Sequence, residues 1–297
     1  MQFLEFLREL LLKLDTGYGE LATKLFSLFG IEEEILWGTG FTPIHLTTLI
    51  IALLIPFALH FALRGARRRT QTVVLFIISL IGPFSLIYDI VLWGIPTSPL
   101  LYLPLHICSY NALLTPILVL TKNKFLGNLL PLFSVGAAFA LLFNSIQAEY
   151  SLTTLVFLSY FLSHTIGTCL PFLMISLGHV RIQPRQILPC IGGTLAIYTA
   201  SHFANVAIIE HLTAKGLTDY VQYINYMFSI YPQGNPMLEF FWSIIPHSYF
   251  YMLMVIPIVA VYFIAMNIPN FIRKRNIRSY GKNGYGSHFV VRDEDGK

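Results

Sequence analysis

The segment LPLHICSYN (103–111) sets His106, Cys108, Ser109 and Asn111 inside an otherwise apolar run. A thiol, an imidazole and an amide are the parts of an acyl-transfer site. A thiolate attacks an ester carbonyl, the imidazole shuttles the proton, and an amide or a freed backbone N–H stabilises the oxyanion. Spacing limits who can do what. Cys108 and Asn111, three apart, share a helical face, which Thr115 continues. His106 and Cys108, two apart, differ by about 200° around a regular helix. They meet only if Pro104 distorts that turn; otherwise His106 turns to Asp89 or His202. A buried thiol without a basic neighbour is inert, so Cys108 needs an imidazole. His164, in SYFLSHT (159–165), is the first candidate, and His106 is the alternative if the chain unwinds at Pro104.

The elements that hold these residues must cross a membrane. Of 297 residues, 55% are hydrophobic and 11% charged, with mean hydropathy +0.66, far from the soluble norm of roughly 25% charged. The three cysteines, 108, 169 and 190, all lie in apolar segments and make no disulfide framework. The basic residues fall in short clusters between apolar spans, which is not a nucleic-acid pattern, and no basic n-region of a cleavable signal stands at the start. Windows of about 20 apolar residues fall at 42–63, 71–93, 100–121, 125–146, 153–178, 187–209 and 245–268. The expected fold is therefore all-α and polytopic, with seven transmembrane helices. Fifteen of the nineteen Lys and Arg lie in loops 64–70, 122–124 and 179–186 and in the tail. The positive-inside rule then puts the N-terminus outside and the C-terminus in the cytoplasm. Trp37, Trp93 and Trp242 all fall at expected outer ends, where interfacial Trp is common.

Three regions follow. Residues 1–41 form an interfacial segment in which FLEFLRELLLKL (3–14) keeps Glu5, Arg8, Glu9 and Lys13 on one face of an amphipathic helix. Residues 42–268 form the membrane domain, with a long outer loop at 210–244 that caps the bundle. Residues 269–297 are a tail that begins basic, suiting anionic lipid heads, and then becomes polar and disordered. Orientation turns the polar residues into a map. At 1.5 Å per residue, His106 and Cys108 lie about 9 and 12 Å below the outer face and His164 about 16 Å. Asp89, Asn144, His202, Asn205 and His247 also fall in the outer half, whereas His60 and Asn128 lie near the inner face. Ionisable groups inside a membrane tend to face a wet cavity and mark function. A polar cavity opening to the outer side is expected.

LPLHICS (103–109) resembles the LPLH-x-C signature of the YwaF family of bacterial membrane proteins, which is similar to the transmembrane protein 164 acyltransferase. TPILVLTKNK (115–124), SYFLSHT (159–165) and NYMF (225–228) add further likeness, and the resemblance runs from about span two to span seven. It implies acyl exchange on a phospholipid through a thioester in the cell membrane, with no cofactor. It also implies that Cys108 and His164 are the catalytic pair and adds Asn225 and Tyr226 to the cavity-lining candidates. Three other classes stay open on the residues alone. A metal-dependent hydrolase would use His106, His164, His202 and Asp89 as ligands, although no HxxxH or HExxH pair is present. A transporter would use the proline-broken spans. A sensor or scaffold would need none of this chemistry.

Overall fold

The computed structural model describes residues 2–28, 34–38, 41–143 and 149–282. Every regular element among them is helical, with one isolated antiparallel bridge between Leu36 and Ser151. The helices are α1 (Gln2–Leu28), α2 (Pro43–Leu63), α3 (Arg68–Ser79), α4 (Ile81–Asp89), α5 (Ile107–Thr121), α6 (Lys124–Leu142), α7 (Leu155–Ser176), α8 (Ile187–Ala214), α9 (Pro236–Ile244) and α10 (Val255–Lys282). A π-helical turn, Ile90–Gly94, extends α4. Among the described residues, six segments are long and apolar enough to cross a bilayer: Pro43–Leu63, Arg68–Gly94, Lys124–Leu142, Leu155–Ser176, Pro184–Ala214 and Tyr251–Asn270. The protein is a multi-pass membrane protein.

Most expected spans match within a few residues, and the exceptions have local causes. The span expected at 100–121 contains a helix of only 15 residues that starts at Ile107. Pro104 has no N–H and biases Leu103 out of the helical region, so residues 102–106 run without regular helix. The last span starts later than expected because Pro246 likewise holds Ile245 extended (φ −127°, ψ 85°). The N-terminal helix, by contrast, continues well past residue 14 to Leu28, since ELATKLF keeps an amphipathic pattern going. The loop expected at 210–244 is shorter than its window, because α8 runs to Ala214 and α9 occupies Pro236–Ile244. The tail beyond 282 lies outside the described residues.

Proline also organises the packing of the bundle. Pro171 cannot donate to the carbonyl of Gly167, which would go unsatisfied in a low-dielectric interior. Two side chains from neighbouring helices supply the missing donors: Asn111 Nδ2 at 2.7 Å and Ser134 Oγ at 2.8 Å. Pro56 frees the carbonyl of Ala52 in the same way, and the Cys169 thiol approaches it at 3.9 Å. Small residues let the helices close around these points. A Cβ on Gly82 would lie 2.9 Å from that of Ala112, and one on Gly136 only 2.5 Å from Ile107 Cγ2. α5 is thus wedged against α4 and α6 with no room for a longer side chain. Leu118, Leu130, Phe133 and Met174 are fully buried around it.

The two ends of the bundle differ in charge. At the basic end, Arg68 donates to the carbonyl of Leu177 (2.5 Å), and Gln71 links Leu63 to His179. Asn128 holds the chain at Arg181 and Gln183, and His60 meets Ser176 at 3.0 Å. The loops after α2, α5 and α7 therefore converge. At the opposite end, α1 lies across the π-turn and the start of α7. Its Leu11 packs with Tyr88, Val91 and Leu92, and its Tyr18 hydroxyl donates to Leu152 O at 3.0 Å. The Asp15 carboxylate accepts from the Leu155 N–H at 2.9 Å, placing negative charge at the N-terminus of α7, where the helix dipole favours it. Asp15→Ala should lower stability by about 1 kcal/mol, as loss of an N-terminal cap does. Asp15→Asn, which keeps an acceptor, should recover most of that loss, read as the thermal unfolding midpoint in detergent.

Candidate active site

Because α5 starts inside the bundle, its end is exposed to chemistry rather than to bulk water. His106 is the N-cap, in extended conformation (φ −82°, ψ 154°), and its side chain does not cap the helix. The first N–H groups of a helix have no intrahelical acceptor. Those of Ile107, Cys108 and Ser109 therefore have no acceptor within the helix. Cys108 thus occupies the second helical position, in the first turn of α5. Ser109 was not among the residues expected from sequence. Only the helix start at Ile107 reveals its place, and Pro104 is the signal for that start.

His106 is oriented from the far side by the loop between α8 and α9. The Met227 N–H donates to His106 Nδ1 at 3.3 Å, and the imidazole lies edge-on to Tyr226 and Phe228. A neutral imidazole that accepts at Nδ1 carries its proton on Nε2, so His106 is a donor towards the site. Met227 and Phe228 both adopt left-handed conformations (φ 54° and 55°), which non-glycine residues rarely do. The fully buried Asn205 holds this turn in place. Its Oδ1 accepts from Tyr226 N at 2.9 Å, and its Nδ2 donates to Tyr226 O at 2.9 Å and Ser229 Oγ at 2.8 Å. Asn225 closes the next turn by accepting from Ile230 N (3.0 Å) and donating to Tyr231 O (2.7 Å). Tyr226 donates its hydroxyl to Leu100 O (2.5 Å) and accepts from Leu103 N (3.1 Å). Burial pushes its phenol up to about 12, so it stays a donor. His202 meets Ser229 Oγ at 3.1 Å. These four expected cavity residues thus brace the segment carrying His106.

His164 has the complementary arrangement. Its Nδ1–H donates to the Tyr160 carbonyl at 2.9 Å, and its ring stacks on Tyr160 with centroids 4.0 Å apart. The remaining Nε2 is left with a free lone pair. His106 and His164 lie within electrostatic range of each other, and Tyr160 stands beside both His164 and Cys108. Asp89, which ends α4 where the π-turn begins, lies within range of Cys108, Tyr102 and Tyr150. No hydrogen bond directly joins Cys108 to either imidazole. All four groups are surrounded by protein yet keep accessible surface.

Two expected site residues fall elsewhere. Asn111 is fully buried and its amide is committed to Gly167, so it is a packing residue and not an oxyanion donor. His247 is exposed in the irregular turn that Pro246 creates. Asn144 lies outside the described residues. Among the described residues, no three His, Cys, Asp or Glu side chains are grouped to hold a metal ion.

The model of the TMEM164 family matches residues 40–267. The chain belongs to the TMEM164 family. No curated protein and no solved structure matches it. The segment shared with the TMEM164 family takes in every described residue of the candidate site and leaves out α1. Gly136 holds the key close contact with Ile107, the residue before Cys108. Gly136→Val should displace the start of α5 and change the rate at which methyl methanethiosulfonate labels Cys108 by on the order of tenfold. Gly65→Ala, at a position with open space around it, should leave that rate unaltered.

Proposed function

We propose that this TMEM164-family protein is a lipid acyltransferase that carries the acyl group on Cys108. It sits in the cell membrane with seven spans, the short α5 counting as the third. The end where α1 docks faces outside, and the basic loops and tail face the cytoplasm, in keeping with the charge asymmetry. The observation that supports the reading is the placement of Cys108 in the first turn of α5, whose N-cap is His106, with His106 and His164 within electrostatic range of each other.

In the first half-reaction, Nε2 of His164 takes the thiol proton and the Cys108 sulfur attacks the ester carbonyl of a phospholipid. Negative charge gathers on the carbonyl oxygen, where the N–H groups at the start of α5 and the Nε2–H of His106 act as donors. The tetrahedral intermediate collapses, the ester C–O bond breaks, and the leaving lysophospholipid alkoxide takes the proton from His164. The acyl group is then a thioester on Cys108. In the second half, His164 takes a proton from an acceptor alcohol, which attacks the thioester. The C–S bond breaks and the thiolate recovers its proton from His164. Asp89 borders the same space.

Purified protein incubated with dioleoyl phosphatidylcholine should gain the mass of one oleoyl group, released by neutral hydroxylamine. Cys108→Ser should show no hydroxylamine-labile adduct. His164→Ala should slow acylation by about 10²–10⁴-fold, and His106→Ala by roughly 10²-fold, as for loss of one oxyanion donor. A labile acyl group that persists on the Cys108→Ser protein would overturn the assignment.

A further inference from the structure

Beyond the candidate site, α1 presents a second feature that the acyl-transfer reading does not use. Leu14, Gly17, Tyr18 and Leu21 recur at the spacing of one helical face. Together with Phe84 of α4 and Leu155 of α7 they line an open groove of about 420 Å³, with Lys13 at its rim. That volume is within the range of about 300–1,000 Å³ typical of small-molecule sites. α1 is fastened on both sides of the groove: Leu11 packs into the π-turn cluster, Asp15 and Tyr18 bond the chain at Leu155 and Leu152, and a Cβ on Gly19 would lie 3.3 Å from Thr153 O.

Gly17 is the odd residue in this contact. A glycine inside a helix costs about 1 kcal/mol relative to alanine. Gly19 is explained by its close approach, but a Cβ on Gly17 would meet nothing within 4 Å, and its backbone is ordinary helix. The missing side chain leaves a gap where the stripe would otherwise be filled. The groove also has a direction. Phe84 precedes Asp89 by five residues on α4, about 7.5 Å further towards the middle of the bundle. The groove therefore runs from the interfacial helix into the depth of the hydrocarbon. Lys13 is its one charged lining residue and makes no ion pair or hydrogen bond among the described residues.

We infer that the groove between α1 and α4 is a phospholipid-binding site, with one acyl chain lying over Gly17 and the lipid phosphate paired with Lys13. The site does not depend on Cys108, and α1 lies outside the segment shared with the TMEM164 family. It makes α1 a lipid-holding element as well as an anchor.

The test uses the full chain in phosphatidylcholine nanodiscs with a phosphatidylcholine probe carrying a diazirine midway along one acyl chain. Photolabelling should concentrate on the peptide holding residues 13–21 and on Phe84. Gly17→Leu fills the gap and favours helix, so it should cut that labelling about tenfold without lowering the unfolding midpoint. Lys13→Gln, an exposed substitution, should cut it several-fold, while Gly65→Leu at the basic end should not. Labelling spread evenly over the lipid-facing spans, or undiminished in Gly17→Leu, would overturn the site. Undiminished labelling in Lys13→Gln would overturn the phosphate contact. Cys108→Ser should label as wild type, which separates this site from the acyl-transfer reading.

Discussion

A backbone group that loses its helical partner inside a membrane protein must find another, because hydrocarbon offers no hydrogen bond and an unsatisfied group costs several kcal/mol. The architecture here follows from where proline creates such groups. Pro171 releases the Gly167 carbonyl at the centre of the bundle, and Asn111 and Ser134 converge on it from α5 and α6. That three-way contact, with the glycine crossings at positions 82 and 136, fixes how deep α5 sits. Pro104 acts on the other terminus of the same helix by ending the extended approach and starting α5 in the interior. There the released groups are donors rather than acceptors, and Cys108 lies among them.

The polar residues of the bundle accordingly divide by what their hydrogen bonds leave over. Asn111, Asn205 and Asn225 are spent on backbone groups of neighbouring segments, so their chemistry is structural. His106 and His164 each spend one nitrogen in the same way, which determines the tautomer and leaves the other nitrogen for the site. The partner differs: a backbone N–H forces His106 to accept, and a backbone carbonyl forces His164 to donate. The two histidines thus hold opposite tautomers without any difference in intrinsic chemistry. Bracing by Asn205 and Tyr226 also shows why a long connection after α8 is ordered: it is the far wall of the segment that carries His106.

Much of the fold could be read from composition and spacing. The helical class, the boundaries of six long spans and the concentration of ionisable groups towards one end all follow from local hydropathy. The distortion at Pro104 was legible as a condition on whether His106 and Cys108 could meet. Asn111 was misread because its face is shared with Cys108, and sequence spacing does not say that a proline on another helix needs its amide. His247 was misread because a proline one residue away ends the helix expected to carry it. The amphipathic stretch at 3–14 is only the first part of α1, which runs on through Gly17 and Gly19 to Leu28.

By itself the sequence determined which residues can react and which stretches must cross the bilayer, since thiols, imidazoles, prolines and apolar runs act through properties confined to their own neighbourhood. Tertiary structure decided which of those groups are free to act. The partner that sets the tautomer of His106 is 121 residues away, and the amide that satisfies Gly167 is 56 residues away. Hydrogen bonds of that range depend on how helices pack, and no local pattern along the chain encodes them.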